Sequence, residues 1–170
     1  MFIAVLLFIL VLLFIILSWA WPPDSPWAPW WSIKDKEIKA ALKLAKVSKN
    51  DLIYDLGSGT GKFLITAAHE FGANGVGIEI DPLRFLTSKF LVRINGVTDK
   101  VKIIRGSFFE EDISDATVVF AYLVPKTLER LLPKFRKELK KGTIIITYRY
   151  PLEAKKQKEN KDLQIFLYKI

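Results

Sequence analysis

A chain of 170 residues with 26 Lys and Arg against 18 Asp and Glu, a formal charge of +8, has room for one ordinary domain and a short appendage. It contains no cysteine and one histidine, His69, which excludes a disulfide framework, a thiolate nucleophile and a metal site or triad built on those residues. The basic excess favours an anionic partner, but acidic and basic residues are mixed along most of the chain, so nucleic acid is disfavoured.

Residues 2–17, FIAVLLFILVLLFIIL, are continuously apolar, and Ser18-Trp19-Ala20-Trp21 extends the run. About 20 such residues, rising ~1.5 Å each, cross a ~30 Å hydrocarbon core. A cleaved signal peptide competes with this reading, but no Lys or Arg precedes the run, and Trp19 and Trp21 flank its nearest small residue. The expectation is a single-pass transmembrane anchor over residues 1–21. Lys34, Lys36, Lys39 and Lys43 follow it, diluted by Asp35 and Glu37, which puts the C-terminal side in the cytoplasm. Residues 22–32 form a Trp/Pro-rich linker whose prolines exclude a continuous helix. Trp19 and Trp21 suit an interfacial aromatic belt. Trp27, Trp30 and Trp31 are expected to lean on the following domain and wall a pocket.

The domain is expected over residues 33–170. Ile38, Ala41, Leu42 and Ala45 recur at helical spacing. Residues 52–56 then read as a short buried strand, 57–61 as a tight glycine loop, 63–71 as a helix and 75–80 as a second strand. Asp81 suits a helix N-cap and Pro82 the first turn of a helix running to about Asn95. Strands follow at 101–105 and 117–123, a helix at 126–139 and a strand at 143–150. The stretch from Pro151 to Asp162, with Lys155, Lys156, Lys158 and Lys161, reads as a solvated turn before a last strand at 163–170. Alternating strands and helices imply a mostly parallel sheet covered on both faces. No packed crossover fits before the last strand, which is therefore expected to be antiparallel.

The chemistry concentrates in Asp55-Leu56-Gly57-Ser58-Gly59-Thr60-Gly61, a loop that follows a strand and opens a helix. Glycines there let the backbone approach a ligand, and the helix N-terminus supplies free N–H groups. The dinucleotide pattern started at Gly57 needs its third glycine where Lys62 stands, so the spacing is D-x-G-x-G-x-G instead. Glu79 ends the second strand, twenty residues after Gly59, where a carboxylate can accept both ribose hydroxyls.

With these features, YDLGSGTGKFLITAAHEFGANGVGIEID and the later VVFAYLVPKTLERLLPKFRKELKKGTIIITYRYPL resemble the class I methyltransferases that use S-adenosylmethionine. Within that class the chain is similar to the small membrane-anchored lysine methyltransferases of the ATP synthase c-subunit and adenine nucleotide translocase type. The resemblance covers nearly the whole chain, including the apolar anchor and Pro26-Trp27-Ala28-Pro29. It implies a Rossmann-like α/β fold and methyl transfer to a protein lysine ε-amine in or near the same membrane. It assigns Asp55, Gly57, Ser58, Gly59, Thr60 and Gly61 to the methionine end of the cofactor, Glu79 to the ribose, and Ser107-Phe108 to the adenine. Many relatives in the class have Asp where Ser107 stands. The segment from Ala121 to Pro125 would border the transferred methyl. Tyr122, Tyr148 and Trp30 are the candidate catalytic side chains, forming an aromatic pocket that lowers the lysine pKa by desolvation. The reaction calls for no metal. The rival readings are a nucleic-acid methyltransferase, a lipid or quinone methyltransferase, and a non-catalytic binding module. Ala121-Tyr122-Leu123-Val124-Pro125 lacks the Asn/Asp-Pro-Pro-aromatic motif of base-N6 enzymes, which weighs against the first.

Overall fold

The computed structural model describes residues 2–20 and 32–170, with side chains at 2–16 and from Ser32 onward. Helix α1 (Phe2–Ala20) comes first, and α2 (Asp35–Leu44) opens the domain. Asp35 and Glu37 in the first turn of α2 and Lys43 in its last complement the helix dipole, while Ile38, Ala41 and Leu42 face inward. Then follow β1 (Leu52–Leu56), α3 (Lys62–Phe71), β2 (Asn74–Glu79), α4 (Pro82–Ile94), β3 (Val101–Arg105), β4 (Val118–Ala121), α5 (Pro125–Glu138), β5 (Ile144–Tyr148), β6 (Lys158–Asn160) and β7 (Ile165–Lys169).

The seven strands form one sheet in the order β3-β2-β1-β4-β5-β7-β6. β1 pairs in parallel with both β2 and β4, and β5 extends the parallel set. All of β4 is buried, as expected of a central strand covered on both faces. One face packs under α2, α3 and α4, where Ile38, Leu42, Phe63, Leu64 and Ile53 meet; Phe63 stacks on Phe120 with ring centroids 3.8 Å apart. The other face packs under α5 through Leu128, Leu131 and Phe135 against Val119 and Ile145. Asp81 caps α4 by accepting from Arg84 N at 2.8 Å, with Pro82 at the start of the helix. Gly72 ends α3 in the left-handed conformation. β7 runs antiparallel to β5, as the missing crossover requires.

Two expectations change. Part of the Lys-rich stretch read as a solvated turn is the edge strand β6, which pairs Lys158 with Leu167 and Asn160 with Ile165. Its sequence, KEN, has no apolar alternation, because an exposed edge strand needs only a neighbour's free backbone groups. The second change concerns the anchor. Among the described residues no helix is long and apolar enough to cross a membrane. What stands over residues 1–21 is α1, a 19-residue helix, about 28 Å long at a rise of ~1.5 Å per residue. It is exposed along residues 2–16. The side chain of Trp19, and Trp21, Trp27, Trp30 and Trp31 altogether, lie outside the described residues, and with them the expected aromatic belt and pocket wall.

Candidate active site at the β1–β4 switch point

The chain runs outward from β1 to β2 and β3, then returns to the other side of β1 as β4. Strand order reverses there, and ligands of open α/β sheets bind at the carboxyl ends beside such a reversal. The loop leaving β1 has Gly57, Gly59 and Gly61 at φ values of +81°, +56° and +75°, left-handed conformations that side-chain-bearing residues rarely adopt. Gly57 N and Ser58 N both donate to Ile78 O, at 2.9 and 3.0 Å, and Gly61 N donates to Ser58 O at 2.8 Å. The loop is thus pulled onto β2. A Cβ on Gly77 would lie 2.7 Å from Ser58 Oγ, so this approach depends on a bare backbone in β2 as well.

Glu79, at the end of β2, is 5% exposed. Its Oε2 accepts from Gly59 N at 2.7 Å and its Oε1 from Asp81 N at 2.9 Å. Burial pushes this carboxyl up, while the Asp81 and Gly59 N–H groups and the Arg84 charge hold it back. Asp55, 3% exposed on β1, is pushed up to about 8 by burial and then by the Glu79 charge. Ser58 Oγ is buried without a hydrogen-bond partner. Two buried carboxyls, both raised by burial and Asp55 further by the Glu79 charge, beside an orphaned hydroxyl and a glycine cradle, fit a polar ligand with hydroxyls and positive charge. S-adenosylmethionine, a cationic sulfonium carrying an ammonium and a ribose, has that chemistry.

Ser107 follows β3. Its Oγ accepts from Phe109 N at 3.3 Å and its carbonyl from Glu110 N and Glu111 N. Gly106 N donates to Glu79 O at 3.2 Å, which ties the ends of β2 and β3 together. The Phe108 ring reaches within 3.9 Å of where a Cβ on Gly57 would sit. Ser107 and Phe108 therefore lie on the Glu79 side of the loop, where the adenine was expected. Thr60, by contrast, turns toward a separate hollow of about 390 Å³ that Asp35, Lys39, Lys62, His69 and Glu70 also line. That hollow's cations are already paired, Lys39 with Glu70 at 2.6 Å and Lys62 with Asp35 at 2.7 Å.

On the other side of the switch point, Tyr122 leaves β4 and Tyr148 ends β5. Their rings meet edge to face with centroids 4.7 Å apart. Arg149 Nη1 donates to Tyr122 Oη at 3.1 Å, and Arg149 itself sits at φ +70°, a strained conformation for a residue with a side chain. Burial pushes the Tyr148 phenol up, and the Glu37 carboxylate of α2 pushes it further, so Tyr148 keeps its proton at neutral pH. Glu37 Oε2 is buried with no hydrogen-bond partner. Glu37 and Arg149 were not singled out in the sequence. In sequence Glu37 is an ordinary first-turn acid, and only the packing of α2 on the sheet brings it to Tyr148. Trp30, the third candidate, lies outside the described residues.

This sheet order, glycine cradle and acidic residue at the end of β2 are those of a class I methyltransferase dependent on S-adenosylmethionine. The ANTKMT methyltransferase domain model matches residues 55–159, and the chain belongs to that family. It is 38% identical over 156 residues to a protein-lysine N-methyltransferase of Saccharolobus islandicus, covering 87% of this chain and 95% of that one. It is 29% identical to the ATP synthase c-subunit lysine N-methyltransferase of Xenopus laevis, over 68% of this chain but only 50% of that longer protein. Among solved structures, an RNA methyltransferase from Salinibacter ruber in complex with S-adenosyl-L-homocysteine superposes with a TM-score of 0.80 at 34% identity, covering 82% of this chain and 94% of that one.

Proposed function

We propose that this enzyme methylates a protein lysine ε-amine at a membrane entered by α1, with the catalytic domain on the cytoplasmic side. The observation that carries the acceptor assignment is the convergence of Glu37, Tyr122 and Tyr148 from three elements beside the cofactor cradle. The similarity to protein-lysine methyltransferases supports it. The membrane reading rests on α1, an apolar helix exposed along 2–16, and on the lysines that follow it.

When bound, S-adenosylmethionine supplies an electrophilic methyl on a sulfonium. Glu79 would hold the ribose hydroxyls with the lone pairs left over from Gly59 and Asp81, and Asp55 would offset the cofactor's positive charge. An incoming lysine is an ammonium at neutral pH, with a reference pKa of about 10.4. Glu37 Oε2 accepts one of its N–H groups and orients it. The Tyr122 and Tyr148 rings strip water from it, which favours release of one proton to solvent and leaves the neutral amine that transfer needs, and their faces suit the methylated ammonium. Fixing the nitrogen in line with the methyl lowers the entropic part of the barrier.

The likeness to an RNA methyltransferase and the charge of +8 favour one rival, methylation of RNA. Radiolabelled methyl transfer to a membrane fraction separates the two. Protease-sensitive label that hydrolyses to methyl-lysine is the expected result. Label removed by ribonuclease and not by protease would replace lysine with RNA as the substrate.

A further inference from the structure

α4 leaves a stripe of large apolar residues outside. The residues it buries are Arg84, Ser88 and Val92. The residues it leaves outside are Leu86, Phe90 and Ile94, exposed by 60%, 61% and 59%. Both sets recur every four residues, so each is one face of the helix. A helix of a soluble domain normally directs its apolar stripe at the core. Here the inner face meets polar chemistry near the cradle, where Asp81 and Glu79 act on Arg84. Phe85 and Val92 pack against the core, while Leu86, Phe90 and Ile94 are left outside. No Asp or Glu occurs in Pro82–Ile94, and the exposed charges beside the stripe are Lys89 and Arg93. Large apolar residues flanked only by cations are the pattern of a helix lying in a lipid interface.

We infer that the outer face of α4, Leu86, Phe90 and Ile94 with Lys89 and Arg93, rests on the anionic headgroup surface of the membrane and sets the orientation of the catalytic domain. The inference rests on the reading that α1 enters that membrane. Three observations favour lipid as the occupant. α1, whose apolar side chains are exposed along 2–16, touches α4, so the helix read as entering the membrane and the one carrying this stripe are neighbours. The exposed charges carried by α4 itself are all positive, complementary to anionic lipid. Three partly exposed side chains offer on the order of a few hundred Å², short of the roughly 800 Å² per partner that a stable dimer buries. Docked in this way, the domain would hold its acceptor wall at a fixed height above the bilayer and select lysines that emerge close to it.

The chain has no cysteine, so single labelling sites can be introduced cleanly. Nitroxide labels are placed one at a time at Leu86→Cys, Phe90→Cys and Ile94→Cys. Lys137→Cys on the exposed side of α5, over the opposite sheet face, is the control. The full-length protein is reconstituted into phosphatidylcholine vesicles with and without phosphatidylglycerol, and flotation is read beside label accessibility to aqueous nickel and to lipid-phase oxygen. The expected result is a severalfold loss of nickel accessibility at the three α4 positions and none at 137. The loss is stronger with phosphatidylglycerol, and Lys89→Glu with Arg93→Glu removes that difference. Protein that floats while its α4 labels remain as accessible to nickel as position 137 overturns the inference and leaves α1 as the sole anchor. Protein that does not float overturns both. Dipolar broadening between α4 labels before vesicles are added assigns the face to a second copy of the chain, which also overturns it.

Discussion

The glycine loop of the cradle and the aromatic wall of the proposed acceptor site stand at the same end of the sheet, after β1 on one side and after β4 and β5 on the other. The cradle is mostly backbone. Its shape follows from left-handed glycines and N–H groups directed at Ile78 O and Glu79, and its members lie within about twenty-five consecutive residues. The wall is made of side chains, Glu37, Tyr122, Tyr148 and Arg149, drawn from more than a hundred residues of chain. A site held by backbone fails as a unit when one anchor is removed. A site held by separate side chains loses function by degrees.

The largest effect is expected from Glu79→Ala. It strips the acceptor from Gly59 N–H and Asp81 N–H and removes the proposed ribose partner. Charge-assisted hydrogen bonds worth about 1.5–3 kcal/mol each imply a loss of cofactor affinity of about 100-fold or more, readable by calorimetry with S-adenosylmethionine. Retained affinity would mean that the cradle does not work as one unit.

Next comes the pH dependence of the cofactor-free protein. Asp55 is raised in the folded state to about 8, above an unfolded value near 3.8. Between those values the folded state binds the extra proton, so this residue's contribution to stability falls as pH rises from about 4 to about 8. Asp55→Asn should flatten that decline in Tm and stabilise the cofactor-free protein near pH 8. Adding S-adenosylmethionine should stabilise the natural protein most at the same pH, because its positive charge meets the ionised carboxylate. A Tm profile identical in the variant would sink the assignment of that charge.

Glu37→Gln tests the wall. It keeps the shape and removes the charge, so KM for a lysine peptide should rise about tenfold while affinity for S-adenosylmethionine stays unchanged. Equal losses in cofactor and peptide binding would make Glu37 part of the general packing of α2. The smallest effect is expected from Tyr148→Phe, which leaves the ring contact with Tyr122 in place. A loss of only a fewfold in kcat is expected there, against a much larger one for Tyr148→Ala. Equal losses in the two would move the role from ring to hydroxyl.

Most of what sequence alone determined is local. Strand and helix order, the Asp81 cap, the glycine loop and the spacing to Glu79 follow from hydrophobic period, φ restrictions and capping over short stretches of chain. The antiparallel last strand follows from the want of a crossover before it. Tertiary structure decided what depends on neighbours distant in the chain. β6 exists because β7 offers a free edge, and the Glu37 charge acts on Tyr148 because α2 joins the core cluster that Tyr148 borders. Arg84 faces inward toward the acidic end of β2, and Ser88 and Val92 toward the Gly61 loop and the core, which leaves Leu86, Phe90 and Ile94 outside. Periodicity reveals that a helix has two faces; which of them turns to the protein is set by what the sheet places beneath it.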